Sequence, residues 1–161
     1  AKPIEKHLKE VKRIFRYLRG TVNTDLWYTK DSGFELTGFS YADYAGCKDS
    51  FKSTSGGAQF LGEKLVSWSS KKQDCTALST AEAEYVSLFA CCAQVLWMQI
   101  QLTDYGFIFK KIPIYCDSKS AIAISYNPVQ HSRTKHNAVR YHFIKEHVEK
   151  GTIELYFVKT D

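Results

Sequence analysis

A mixed α/β fold, a five-stranded sheet flanked by helices, is what this sequence predicts, and three observations predict it. Short β-type runs cluster in the first half of the chain, divided by tight-turn residues. Long helical periodicities follow, near residues 80–105 and 134–150. Apolar runs of strand length stand between and after those helices.

The elements can be justified in order. From Pro3 to Leu18, the residues Ile4, Leu8, Val11, Phe15 and Leu18 recur at three- and four-residue steps, the spacing of one helix face. Pro3 suits a first turn and Gly20 a C-terminal stop, while Lys and Arg fill the opposite, solvated face. Phe34 to Ser40 reads as the first strand. Gly57 to Leu61 and Lys64 to Ser69 follow, split by Gly62 and Glu63, a two-residue break of the hairpin kind. A long helix runs from about Thr80 to Tyr105 and stops at Gly106. Its stripe of Tyr85, Leu88, Phe89, Cys92, Val95 and Leu96 reads as core. Pro113 to Cys116 is a short buried strand, Ser118 to Ser125 a brief helix ending near Pro128, Thr134 to Lys150 a longer one closed by Gly151, and Thr152 to Val158 a last strand. Tight turns make the first three strands antiparallel, and crossover helices return the last two parallel.

Composition bounds the function. The 161 residues suffice for one domain with a core, and 44% hydrophobic with 24% charged residues is a folded composition. No apolar run reads as membrane-spanning, and the opening AKPIEKHLKE lacks the apolar region of a secretory signal, so neither a membrane partner nor secretion is expected. Cys47, Cys75, Cys91, Cys92 and Cys116 are scattered, with no CxxC pair. That spacing argues against a zinc site or a disulfide framework and for buried thiols in a reducing compartment. The net charge of +5 suits a polyanionic partner.

Three acids stand where chemistry can use them. Asp43 lies just past the first strand and Asp117 at the end of the fourth, where strand C-terminal ends gather into one crevice. Glu82 and Glu84 open the long helix. Ser79 and Glu82 fit a capping box, so Glu82 already has a structural role. Glu84 points about 200° away around the helix and is free to face another element. Acids from three distant segments make sense around two divalent cations, about 4 Å apart, that hydrolyse a phosphodiester. Magnesium prefers such oxygens.

The runs KSTSGGAQFLGEKLVSWSSKKQ, LSTAEAEYVSL, IYCDSKSAIAI, NPVQHSRTKH and RYHFIKEHVEKGTIELYFV, in this order, resemble the ribonuclease H domain of copia-type LTR retrotransposon polyproteins. The opening KHLKEVKRIFRYLRGT resembles the segment that joins the reverse transcriptase to that domain. The resemblance implies a connecting helix and linker over residues 1–30 and a ribonuclease H-like domain over residues 31–161. It implies metal-dependent cleavage of RNA in RNA–DNA hybrids with Mg²⁺ or Mn²⁺. It also implies a reverse transcriptase domain in the same polyprotein and an intracellular setting, the virus-like particle of a retrotransposon.

The family's site has four carboxylates. Glu84, the second glutamate of AEAEY, inherits the helix acid, and Asp117 the acid of YCDS. The family reads S-D-A-D after its first strand, where this chain reads Ser40-Tyr41-Ala42-Asp43, so Tyr41 stands at a ligand position and Asp43 is the remaining candidate there. The fourth acid belongs to a helix beyond the last strand, and the sequence reads only to Asp161, ahead of it. Two of four ligands are thus absent, and weak or no cleavage is expected. The alternative is a module that binds hybrid or duplex without cutting. Lys71, Lys72, Arg133, Lys135, His136 and Arg140 are the candidates for contact with phosphates. Trp68 and Trp97 read as packing residues.

Overall fold

A computed structural model of the chain describes residues 3–24, 33–126 and 135–159. Its elements are α1 (Glu5–Gly20), β1 (Leu36–Asp43), β2 (Thr54–Leu61), β3 (Lys64–Lys72), α2 (Thr80–Asp104), β4 (Ile112–Cys116), α3 (Lys119–Tyr126), α4 (Lys135–Glu149) and β5 (Ile153–Phe157). One five-stranded sheet runs in the order β3-β2-β1-β4-β5. The two hairpin pairs β1–β2 and β2–β3 are antiparallel, and β1–β4 and β4–β5 are parallel. This is the mixed sheet that the order of elements predicts.

The alternation of β1 decides what each face of the sheet does. Leu36, Gly38, Ser40 and Ala42 turn inward, while Phe39, Tyr41 and Asp43 turn outward. The inward face meets α2. Gly38 is needed there, since a Cβ would lie 2.9 Å from Val95 Cγ2 and 3.1 Å from Cys91 Sγ. Small and polar residues on α2 then tie it to strand backbone. The Ser87 hydroxyl lies 2.7 Å from the Tyr41 carbonyl and 3.1 Å from that of Gly56. The Cys91 thiol donates to the Phe39 carbonyl at 3.4 Å. Around these ties Leu88, Cys92, Val95, Ile112, Ile114 and Ile144 lose all solvent contact.

The outward face carries an aromatic row. Trp68, Ala58, Phe39, Tyr115 and Tyr156 are successive partners across all five strands. Phe39 stacks on Tyr115 at 5.0 Å and Tyr115 on Tyr156 at 5.5 Å.

Several boundaries and burials depart from the sequence reading. β1 runs on to Asp43, and β2 begins at Thr54, because the hairpin ladder continues through the Gly56-Gly57 pair to Asp43↔Thr54. β3 extends to Lys72, so Lys71 and Lys72 lie on a strand rather than after one. Trp68 and Trp97 are 73% and 56% exposed, so the packing role expected of them is not met. Trp68 stands outward on an edge strand and Trp97 on the outer side of α2. Helix α1 forms as its periodicity predicts, yet none of its residues is buried. By length and composition α2 is apolar enough to cross a membrane, which inspection for apolar runs did not anticipate. Its inner face is instead the centre of the core.

Candidate metal centre

The cap of α2 sets the direction of its acids. Ser79 Oγ accepts the Glu82 N–H at 3.1 Å, and the Glu82 carboxylate accepts the Leu78 N–H at 2.7 Å. Glu82 is therefore held at the helix entrance, as predicted, with its reach one residue upstream of Ser79. Glu84 turns onto the sheet and is 7% exposed. There it solves a backbone problem. The β1–β4 ladder stops at Ser40↔Cys116, while β1 continues. Glu84 Oε1 accepts the N–H of Ala42, beyond that point, at 3.0 Å.

Asp117 follows the last residue of β4 directly, half-buried. Ligand atoms of Glu84, Cys116 and Asp117 all lie within 4.8 Å of one another. The two acids thus converge as the sequence predicts. With both acids ionised, each keeps a buried oxygen without a hydrogen-bond partner, Glu84 Oε2 and Asp117 Oδ1, and the buried Ser40 Oγ is likewise unpartnered. Burial pushes the Glu84 carboxyl up to about 7; the Ala42 N–H opposes that rise, while the nearby Asp117 charge and a hydrogen bond from protonated Glu84 to Asp117 add to it. Unused carboxylate oxygens, close together and repelling, are donors that fit Mg²⁺ or Mn²⁺.

The other expected residues fall elsewhere. Tyr41 is 50% exposed. With Asp117, Phe39, Gly56, Ala58 and Val158 it lines a trough of about 330 Å³ on the outward face. Asp43 is exposed on the same side of β1 and is not gathered with Glu84 and Asp117. Its carboxylate lies over Gly46, so closely that any Cβ at 46 would collide with it. Lys71 is exposed on β3. Lys72 Nζ donates to Cys47 Sγ at 2.8 Å. Chiefly through that bond, the Cys47 thiol is lowered to about 6. The Arg140 guanidinium stands over the Phe89 ring at 5.7 Å. Arg133 lies outside the described residues, as do the side chains of Lys135 and His136.

Sequence reasoning missed Cys116 and Ser40 at this centre. All five cysteines are free, but only Cys91, Cys92 and Cys116 are buried, while Cys75 is exposed and Cys47 intermediate. The signal for Cys116 was its place at an inward position of a strand, next to Asp117, which CxxC spacing cannot detect.

No protein-family model matches the chain. Over 159 residues, 98% of its length, it is 42% identical to the retrovirus-related Pol polyprotein from transposon RE1 of Arabidopsis thaliana. Over 159 residues, 99% of its length, it is 39% identical to the corresponding polyprotein from transposon TNT 1-94 of Nicotiana tabacum. The chain spans 11% and 12% of the lengths of those relatives. In structure, 99% of it superposes on 25% of a foamy viral protease–reverse transcriptase (dRH, in complex with double-stranded DNA), with TM-score 0.61 and 18% identity. It also superposes, over 78% of its own length and 86% of the other's, on LC11 ribonuclease H1 in complex with an RNA/DNA hybrid, with TM-score 0.53 and 10% identity. At such identities the structural likeness speaks for the fold. Sequence relatives along nearly the whole chain, and this fold, place it in the family of retrovirus-related Pol polyproteins from copia-type transposons, as a segment with the ribonuclease H fold.

Proposed function

We propose that this segment is a ribonuclease H-type domain directed to RNA–DNA hybrids, with its two-metal hydrolysis impaired. The observation that carries the reading is the Glu84–Asp117 pair, with its unpartnered buried oxygens, at the end of β1 and β4. These two acids would hold a divalent cation, Mg²⁺ or Mn²⁺. When bound, such ions activate water and stabilise the leaving oxygen. The part of the chain's own residues is to keep two carboxylates aimed at one point, Glu84 through Ala42 N–H and Asp117 through the end of β4.

Impairment follows from what stands beside them. Tyr41 shares the trough with Asp117 and offers a phenol where an ion of this kind takes a carboxylate. Asp43 is the candidate substitute. Two residues along a strand is roughly 7 Å, large against a metal bond of about 2 Å. For Asp43 to serve, its carboxylate must leave Gly46. Lys71, Lys72, Arg133, Lys135, His136 and Arg140 would contact backbone phosphates without reading sequence. Residues 1–30 would connect to a reverse transcriptase domain in the same intracellular polyprotein, in a virus-like particle.

The same Tyr41 favours a second reading, a module that holds hybrid or duplex without cutting. The deciding experiment measures hybrid cleavage and hybrid binding together, in Mg²⁺ and in Mn²⁺. It compares the 161-residue segment with Tyr41→Asp, with an appended C-terminal helix bearing an alanine-aspartate pair, and with both. Cleavage should appear only when both are present. Strong cleavage by the unmodified chain, abolished by Asp43→Asn, would overturn the impairment and make Asp43 a ligand. Tight hybrid binding, with no cleavage by the doubly repaired chain, would leave the binding module.

A further inference from the structure

Cys116 is the one donor at the centre that is not an oxygen. It occupies the last inward position of β4, fully buried, with Ser40 as its partner on β1. Its sulfur lies within 4.8 Å of ligand oxygens of both Glu84 and Asp117. The Ser118 N–H points at it from 3.4 Å, while burial, with the Glu84 and Asp117 charges, pushes the thiol up to about 11, so an ion that takes the sulfur must displace its proton. Its sulfur belongs to the apolar core and meets polar groups as well. Here three buried polar atoms around it, Ser40 Oγ, Glu84 Oε2 and Asp117 Oδ1, have no hydrogen-bond partner. Glu84 and Ser40 are each more than nine-tenths buried, at 7% and 5% exposure.

We infer that Glu84, Cys116 and Asp117 form a mixed sulfur–oxygen site that takes a thiophilic divalent cation of the Zn²⁺, Co²⁺ or Cd²⁺ class, in competition with Mg²⁺. The inference rests on the reading that Glu84 and Asp117 face a cation, and it does not require that the domain cleave anything. Zinc binds thiolate sulfur at about 2.3 Å and carboxylate oxygen at about 2.0–2.2 Å, so a tetrahedral ion holds its donors roughly 3.5 Å apart. The three groups need close by only about an ångström to reach that. Magnesium has no use for the sulfur, whereas softer ions gain a bond from it, and this difference sets the selectivity. On binding, the thiol proton leaves to solvent and a metal–sulfur bond replaces the S–H bond.

The test uses the whole chain, stripped of metal and titrated with Co²⁺ while its absorption spectrum is followed. A sulfur-to-cobalt charge-transfer band should grow to saturation at stoichiometric ion. It should be bleached by Zn²⁺ and persist in a large excess of Mg²⁺. The band should vanish in Cys116→Ser, weaken in Glu84→Gln, and survive in the Cys47→Ser/Cys75→Ser double variant. If Cys116→Ser does not fold, cadmium NMR of the wild-type chain decides, since a sulfur donor moves the resonance far from that of an all-oxygen site. Survival of the band in folded Cys116→Ser overturns the inference, because the sulfur is then elsewhere. So does Mn²⁺ or Co²⁺ binding without any charge-transfer band, which leaves an oxygen-only site and the proposed function intact. If neither Mn²⁺ nor Co²⁺ binds, the metal reading of Glu84 and Asp117 falls and the inference falls with it.

Discussion

Replacing Glu84 by Gln should stabilise the metal-free chain above neutral pH and change little in mildly acidic solution. The carboxyl of Glu84 is pushed from 4.5 to about 7, by burial first and by the Asp117 charge besides. Between those values the folded chain keeps a proton that the unfolded chain has already released. Stability therefore falls as pH rises through this window, and the loss is complete above the folded value. At about 1.4 kcal/mol for each pKa unit, the loss comes to roughly 3 kcal/mol. Glutamine carries no charge, yet its oxygen can still accept the Ala42 N–H, and its amide can donate to Asp117 as protonated Glu84 does. The assay is urea unfolding of both proteins in chelator, from about pH 5 to about pH 8. The stability of the variant relative to wild type should climb by roughly 3 kcal/mol across that range. Added Mn²⁺ should then stabilise the wild type more than the variant, because only a folded site binds the ion. A difference that stays flat with pH would refute the argument, since Glu84 would then ionise alike in both states.

The remaining expectations are simpler. Gly38→Ala should cost about 1–3 kcal/mol in the same unfolding assay, because its Cβ would meet Val95 and Cys91 across the sheet–helix contact. Ser79→Ala removes the oxygen that accepts the Glu82 N–H and should cost about 1 kcal/mol; an unchanged urea midpoint would show that the cap is not used. If Lys71 contacts a phosphate, Lys71→Ala should weaken duplex or hybrid binding and flatten its log–log salt dependence by about 0.9. An unaltered slope would remove Lys71 from the interface.

How much could be read in the sequence depends on the range of each interaction. The strands, helices and sheet directions follow from local periodicity and turn residues, and they were legible. Glu84 was legible as the free acid because Ser79 accounts for Glu82, a purely local relation. The length of the β1–β2 ladder was not, because Gly56 looks like a breaker until a partner strand fixes it. Trp68 misled for a related reason. Its size argues for burial, but its parity on β3 turns it outward, and parity is settled only by the register with Ala58. Cys116 and Ser40 were invisible because their meaning is a contact between β1 and β4 across more than seventy residues of chain.

Strand parity also explains why Asp117 meets groups from both faces of the sheet. Glu84 reaches the end of β1 from the inward side, through the Ala42 N–H. Tyr41 looks outward, into the trough beneath the aromatic row. Asp117 lies past the end of β4, where no further ladder pins it, and it belongs to both places. It lines the trough with Tyr41 and stands within ligand distance of Glu84 and Cys116. A centre assembled at strand ends can thus draw donors from both faces of one sheet, which a centre on a single face cannot. On the outward side stands the Tyr41 phenol, and on the inward side Glu84 and Cys116 meet Asp117.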